Sequence, residues 1–258
     1  MKEQQKTWEL ELRIIKKLWL KIDFINIDYM KKLSKRLQVE KNKIKKNITY
    51  TIDEAIKLVK ETASAKFNES IEAHISLNID PKYADQQLRA TVILPHGTGK
   101  TLRIAALVPS EKVLEAKECG ADIYGNEDLI ETISKGILNF DLLIATSDMM
   151  PKLAKLGRIL GPKGLMPSPK AGTVTNNLKI TIEEFKKGKL EYRADKTGIV
   201  HISFGKANFS VEGLSENLKA FYNSIETNKP TGVKGKYVKK FTLCSTMGPA
   251  IYLDNTSI

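Results

Sequence analysis

Leu94-Pro95-His96-Gly97-Thr98-Gly99-Lys100-Thr101, followed by Leu102-Arg103-Ile104-Ala105-Ala106-Leu107-Val108, is the stretch on which the reading of the whole chain turns. Its centre, Gly97 to Thr101, invites a nucleotide-binding interpretation. A phosphate-cradling loop needs G-x-x-x-x-G-K-[ST] between a strand and a helix, so that free amides at the helix start face the phosphates. Here the first glycine of that pattern would fall on Leu94, and the run after Thr101 has the apolar continuity of a strand. No G-x-G-x-x-G accompanies the segment either, so a dinucleotide site is not expected. What the stretch does mark is a change of style. Upstream, Ile71, Ala73, Ile75, Leu77 and Ile79 alternate with Glu72, His74, Ser76 and Asn78, the pattern of a strand with one wet face. A second strand is expected over Leu88–Leu94. Downstream, Leu102–Val108 and Phe140–Ala145 are nearly continuous apolar runs, as in strands covered on both faces.

Working outward, a short third run at Ala121–Tyr124 and two helical stretches complete a β-α-β-α-β order. The helices are expected over Ser110–Glu118, closed by Gly120, and Asn126–Lys135, closed by Gly136. That order implies a small parallel sheet. The alternating style then returns. Leu190, Tyr192 and Ile199–Phe204 read as a hairpin around Asp195-Lys196-Thr197-Gly198. A helix follows over Leu214–Thr227, with Leu214, Leu218, Phe221, Tyr222 and Ile225 on its inner side, then strands at Tyr237–Ser245 and Ala250–Leu253. Before Ile71, Thr51-Ile52-Asp53-Glu54 is a capping box that opens a helix with Ile52, Ala55, Ile56, Val59 and Ala63 on one face. The expected fold is therefore α/β in two domains: an α+β terminal domain, 30–96 and 189–258, and an inserted three-layer, Rossmann-like α/β domain, 97–188.

The charge bounds the function. The 258-residue chain carries a formal net charge of +12, with a pI near 9.4, which favours a polyanionic partner. Aromatic residues are only 7%, so grip on folded RNA or a duplex fits better than broad stacking on single strands. The cations cluster. Residues 1–49 hold 14 Lys+Arg against 6 Asp+Glu. Pro151–Gly172 holds Lys152, Lys155, Arg158, Lys163 and Lys170 with no acid, and Asn228–Lys240 holds Lys229, Lys234, Lys236, Lys239 and Lys240 with none. Within the first cluster, Trp8, Leu12, Ile15, Trp19 and Ile22 recur at helical spacing. Residues 1–29 therefore read either as an amphipathic helix for a membrane surface or partner, or as an extension upstream of a true start at Met30. No apolar run is long enough to span a bilayer.

No catalytic constellation emerges. His74, His96 and His201 are dispersed, with no nucleophile or metal partner near them in sequence, and Glu183-Glu184 sits in an ordinary helical context. Cys119 and Cys244 fit neither a metal spacing nor a disulfide framework, and buried thiols are the default reading. Neither a metal nor a cofactor is expected. Leu160-Gly161-Pro162-Lys163-Gly164-Leu165-Met166-Pro167 and its continuation to Gly172 form a shaped cationic loop, suited to a phosphate backbone or to a purely structural connection. In Lys66-Phe67-Asn68-Glu69-Ser70-Ile71-Glu72, the Phe67 ring could pack in the core or stack on a base. Thr246-Met247-Gly248-Pro249 offers a hydroxyl, a flexible apolar side chain and open amides that could meet the RNA minor groove, or is a plain turn.

Taken in order, these segments resemble the large-subunit ribosomal protein L-one family, that of the mobile stalk. The resemblance runs from about Met30 to Leu253. It rests on Ala65-Lys66-Phe67, Asp85-Gln86, Leu94–Lys100, Leu160–Pro167, Gly172-Thr173-Val174, Asp195–Gly198 and Thr246-Met247-Gly248. It implies a non-enzymatic rRNA binder whose main contacts are Lys66, Phe67, Ser70, Glu72, Asp195, Lys196, Thr197, His201, Thr246, Met247 and Gly248. Arg158, Lys163 and Lys170 would form a secondary RNA-contact loop. The implied partners are large-subunit rRNA, exit-site tRNA in transit, the protein's own mRNA and other ribosomal components, with no membrane, as a monomer within the ribosome. Ala194, Ala90 and Lys163 depart from the usual pattern of Asn, Gly and Arg, and residues 1–29 have no counterpart. A composition rich in Lys, Asn and Ile suits an AT-rich genome, with the plastid stroma favoured and a bacterial cytoplasm as the other possibility. Two other readings stand beside this one: a nucleotide hydrolase using Gly99-Lys100-Thr101, and a peripheral membrane protein anchored by residues 1–29.

Overall fold

The computed structural model describes residues 34–45, 48–233 and 235–254. The expectations for residues 1–29, and for Lys234, lie outside them. Helix α1 (Lys35–Lys43) belongs to a unit separate from the one that begins at Ile44, and is tied internally by an Arg36–Glu40 ion pair one turn apart. All further elements belong to the second unit.

There, Thr51 caps α2 (Ile52–Thr62) through the reciprocal Thr51/Glu54 box, and Ile52, Ala55, Ile56 and Val59 turn inward. The alternating strand is β1 (Ser70–Leu77), whose residues are buried at every second position. It is one of the two inner strands of an antiparallel sheet with β7 (Ile199–Lys206) on one side and β8 (Val238–Ser245), then β9 (Ile251–Leu253), on the other. Helices α2 and α8 (Val211–Thr227) cover its apolar face, where Phe204, Phe221, Phe241, Leu214 and Leu218 are buried. The opposite face carries the alternate residues of the same strands. Full burial of a side chain such as Phe221 contributes roughly 1.5–3 kcal/mol, so one face of this sheet supplies stability and leaves the other free to carry polar groups.

One expectation needs correction. The Asp195–Gly198 turn exists, but the strands on either side separate after a single bridge, Ala194 to Val200. Strand β6 (Lys189–Arg193) pairs instead with β2 (Arg89–Ile93), in a two-stranded antiparallel ladder running from Arg89↔Arg193 to Ile93↔Lys189. The chain thus leaves and re-enters this core along one ribbon. Ala90, Val92, Leu94, Tyr192 and Ala194 fill the same core as the larger sheet.

The segment between consists of a parallel sheet, order β4-β3-β5, built from β3 (Ile104–Leu107), β4 (Ile123–Gly125) and β5 (Leu142–Ala145). Its central strand β3 is buried on both faces and β5 nearly so, while the edge strand β4 stays partly exposed, and two separate clusters flank the sheet. Ala105, Leu107, Leu143 and Ala145 meet α4 (Glu127–Ser134) together with Leu153 and Leu160. Ile104, Ala106, Val108 and Ile144 meet Ala116 of α3 (Val113–Glu118) and Leu178, Ile182 and Phe185 of α7 (Leu178–Lys187). The result is the expected three-layer α/β arrangement. The basic loop is more ordered than its composition suggests. It contains the short helices α5 (Met150–Ala154) and α6 (Gly157–Leu160), a helical turn at Pro169–Ala171, and buried anchors at Leu160 and Ala171.

The crossing is held by two devices. Asn217 of α8 is fully buried: its side-chain carbonyl accepts from the His96 amide (3.0 Å), while its amide donates to the carbonyls of Gly97 (3.0 Å) and Phe204 (2.9 Å). Gly188 ends α7 at φ 112° and lies against Gly97 so closely that a Cβ would stand 2.6 Å from the Gly97 Cα. The Lys100 segment therefore belongs to a crossing between cores. The chain passes from Gly97 and Gly99, both at positive φ, into β3, so the element that follows Lys100 is a strand and not a helix.

Candidate nucleic-acid interface

The outward residues of the four-stranded sheet define a polar face. Along β1 they are Ser70, Glu72, His74 and Ser76; β7 adds His201 and Ser203, and β8 adds Lys240, Thr242 and Cys244. Register places Glu72 opposite Cys244 and Ser203, and His74 opposite His201 and Thr242. From Ser70 to Ser76 this face runs about 20 Å, at roughly 3.3 Å per residue.

At one end, two loops are locked together. Glu69 is buried, and its carboxylate accepts from the Ala65 amide (2.9 Å) and the Met247 amide (3.0 Å). Ser70 and Thr246 bond reciprocally, the Ser70 amide donating to the Thr246 hydroxyl and the Thr246 amide and hydroxyl to the Ser70 carbonyl. Lys206 Nζ donates to the Ser70 hydroxyl at 2.9 Å. With their backbones so fixed, Phe67 and Met247 stand 53% and 52% exposed. That answers the question the sequence left open: the Phe67 ring is not in the core. Two large apolar side chains held in water by a rigid frame form a surface ready to be covered. Lys66 is exposed beside them.

At the other end, Asp195 accepts from the amides of Thr197 (2.9 Å) and Ile199 (2.8 Å) and from the Thr197 hydroxyl. These bonds, the Ile199 amide first, hold its carboxyl below the ordinary aspartate range. Lys196 is thrust outward from this turn. Asp195 also lies 3.7 Å from His201 Nε2. The eleven residues named from the resemblance thus fall on one sheet face and on the loops at its two ends.

The secondary set is divided. Lys170 lines a groove with Arg89, Arg193 and Lys196, which joins the basic loop to the Asp195 turn. Arg158 and Lys163 are exposed but do not line that groove. Arg89 is paired with Glu191, and of the remaining charged groups on the groove Lys170, Arg193 and Lys196 outnumber Asp195, so its net charge is positive. Arg89, Arg193 and Glu69 were not singled out from the sequence; the register of β2 with β6 was the missing information for the two arginines, and the docking of the Ala65 and Met247 loops for Glu69.

In the middle of the face, His74 Nδ1 lies 2.8 Å from His201 Nδ1, and His74 Nε2 lies 3.1 Å from Cys244 Sγ. Burial, and then the neighbouring His201, push the His74 pKa down, against a weaker opposing pull from Glu72. Burial raises the Cys244 thiol to about 11. Contrary to the expectation of buried thiols, Cys119 and Cys244 are both partly exposed.

Comparison with known proteins gives this face its context. The model of the ribosomal protein L1p/L10e family matches residues 58–249, which takes in both ends of the sheet and the whole intervening segment. The chain belongs to that family. It is 61% identical over 225 residues to the large ribosomal subunit protein uL1c of Trieres chinensis, covering 87% of this chain and 98% of that one. It is 63% identical over 226 residues to uL1c of Phaeodactylum tricornutum (strain CCAP 1055/1), covering 87% and 98%. It is 60% identical over 229 residues to the large ribosomal subunit protein uL1 of Prochlorococcus marinus (strain AS9601), covering 89% and 97%. As a member of a ribosomal protein family the chain is not an enzyme, in keeping with a Lys100 loop that lacks the geometry of a phosphate cradle. Among the described residues, no helix is long and apolar enough to cross a membrane.

Proposed function

We propose that this chain is a structural component of the large ribosomal subunit that grips large-subunit rRNA at the mobile stalk. The observation that carries this reading is the convergence of a family match over residues 58–249 with one rigid polar face that displays Phe67 and Met247. The RNA contacts are Lys66, Phe67, Ser70 and Glu72, the Asp195–Lys196–Thr197 turn with His201, and Thr246, Met247 and Gly248. Thr246 contributes mainly by shaping its turn, since its hydroxyl is engaged with Ser70. A wide, shallow RNA minor groove is read by shape and by contacts to 2′-hydroxyls, which suits a firm polar sheet face with two apolar side chains at its edge.

The chain works as two domains, 30–96 with 189–258 as the main rRNA binder, and 97–188 as an insert that adds a secondary contact through Arg158, Lys163 and Lys170. Separate cores and a paired crossing support this division. The insert moves with the stalk and assists release of deacylated tRNA from the exit site. The same face, binding a look-alike structure, represses translation of the protein's own mRNA. The protein acts as a monomer among other ribosomal components, in ribosomes of the plastid stroma in preference to a bacterial cytoplasm. Its composition and its similarity to uL1c proteins support that placement.

The test is a mobility shift with a stalk-helix fragment of large-subunit rRNA, across a salt series, against an unrelated RNA of equal length. Affinity for both falls with salt, because any basic binder releases counterions, so discrimination between the two RNAs carries the result. Met247→Ala and Phe67→Ala are each expected to weaken stalk-RNA binding by about 1–3 kcal/mol, roughly 5- to 150-fold. Their thermal stability should stay within about 0.5 kcal/mol of the parent, because both side chains are exposed. Equal, weak binding to both RNAs would sink the assignment.

A further inference from the structure

We propose that Glu72, His74 and Cys244 form a binding site for a borderline-soft divalent cation of the zinc class on the outer face of the four-stranded sheet. The three residues come from two neighbouring antiparallel strands. Glu72 and His74 are two apart on β1 and so share a face, while Cys244 on β8 is the direct cross-strand partner of Glu72. One donor atom from each lies within 4.8 Å of the others. His74 Nε2 is 3.1 Å from Cys244 Sγ and 3.9 Å from Glu72 Oε2. A tetrahedral zinc ion, with bonds of about 2.3 Å to sulfur and 2.0–2.1 Å to nitrogen or oxygen, spaces neighbouring donors by roughly 3.4–3.5 Å. That spacing falls between the two observed distances, so small side-chain rotations admit the ion without moving the strands.

The donor set selects the metal. Thiolate, imidazole and carboxylate together suit zinc and its neighbours, whereas magnesium and calcium prefer all-oxygen surroundings. The far nitrogen of His74 is already held by His201, whose own Nε2 lies near Asp195. Ligating imidazoles are commonly oriented in this way by a partner on the nitrogen that does not touch the metal. Three protein donors leave a fourth position for water. Binding is an exchange in which the Cys244 thiol gives its proton to solvent, a sulfur–metal bond forms, and no electrons change hands. The site does not depend on the rRNA reading, because the donors belong to the free chain.

The experiment is a titration of the reduced, full-length protein with Co2+, followed by displacement with Zn2+. The chain has 2 cysteines, so a sulfur-to-cobalt charge-transfer band must come from Cys119 or Cys244. The expected result is a one-to-one band with tetrahedral d–d intensity, bleached by one equivalent of Zn2+. It should be lost in Cys244→Ser, retained in Cys119→Ser, and shifted to at least tenfold weaker binding in His74→Gln. His201→Ala, which removes only the orienting partner, should weaken zinc binding by about 10- to 100-fold. Far-ultraviolet circular dichroism of each variant separates loss of the site from loss of the fold, and either of two variants on different strands suffices. Absence of the band at saturation, its survival in Cys244→Ser, or its loss in a folded Cys119→Ser would overturn the proposal.

Discussion

Asn217→Ala should lower the free energy of unfolding by about 2–4 kcal/mol. Its side chain makes three hydrogen bonds from a fully buried position, to His96 and Gly97 at the crossing and to Phe204 at the end of the sheet. Truncation leaves three backbone groups without that partner, and each buried, unsatisfied group costs about 1–3 kcal/mol. Water can reach part of the crossing, where His96 is exposed and two of the three bonds are only partly buried, which holds the total near the low end of the sum. For a chain of this size each kcal/mol lowers Tm by roughly 2–4 °C, so the drop should be about 4–16 °C. Asn217→Asp should do no better, because its second oxygen would face the two carbonyls that now receive the amide. Urea unfolding followed by circular dichroism measures the effect. A change below about 0.5 kcal/mol would mean that the crossing is held without this side chain.

Glu69→Ala is the second large effect, and it should appear in both stability and binding. Hydrogen bonds to a charged group contribute about 1.5–3 kcal/mol each. Because both bonds are only partly buried, loss of the carboxylate that joins Ala65 to Met247 is expected to cost near the low end of their sum, about 2–4 kcal/mol of stability. It should also release the two loops that hold Phe67 and Met247 in place. A surface that must order itself on binding loses affinity even when every contacting side chain is retained. Stalk-RNA affinity should consequently fall about tenfold or more, although Glu69 is itself buried. The double variant Glu69→Ala/Met247→Ala separates direct contact from framing. If Glu69 acts by positioning Met247, the two losses combine to less than their sum. Full additivity would show that Glu69 affects binding independently of Met247.

Much of the fold could be read along the chain, because period and capping are local. The capping box at Thr51, the alternation of Ile71 to Leu77 and the two-sided burial of Ile104–Leu107 all follow from neighbours a few residues apart. Pairing does not. The Asp195–Gly198 turn has the chemistry of a hairpin, yet β6 runs beside β2, because Leu190, Tyr192 and Ala194 find their core against Ala90 and Val92. The same limit applies to the sites. Lys66, Phe67 and the Thr246–Gly248 turn were recognisable as short motifs. Glu69 looked like any surface acid, and its burial depends on two amides, one of them 178 residues away. His74, His201 and Cys244 looked dispersed because the metal spacings that sequence reveals lie within a turn of helix or a loop. A cluster assembled by cross-strand register leaves no such trace.

The position of β1 between β7 and β8 also sets the order in which the molecule can be completed. The ribosome releases β1 early, but both of its hydrogen-bonding neighbours are encoded after the inserted segment. The parallel sheet and its helices lie wholly within that segment, so they can close around their own cores while β1 still waits with two bare edges. Long-range strand pairing is slow, and an unpaired strand invites association with other chains. Everything that frames the proposed rRNA face, from the Glu69 carboxylate to Met247, meets only when β8 arrives. A nascent or prematurely terminated copy that ends between the basic loop and β8 thus carries that loop but not the assembled face.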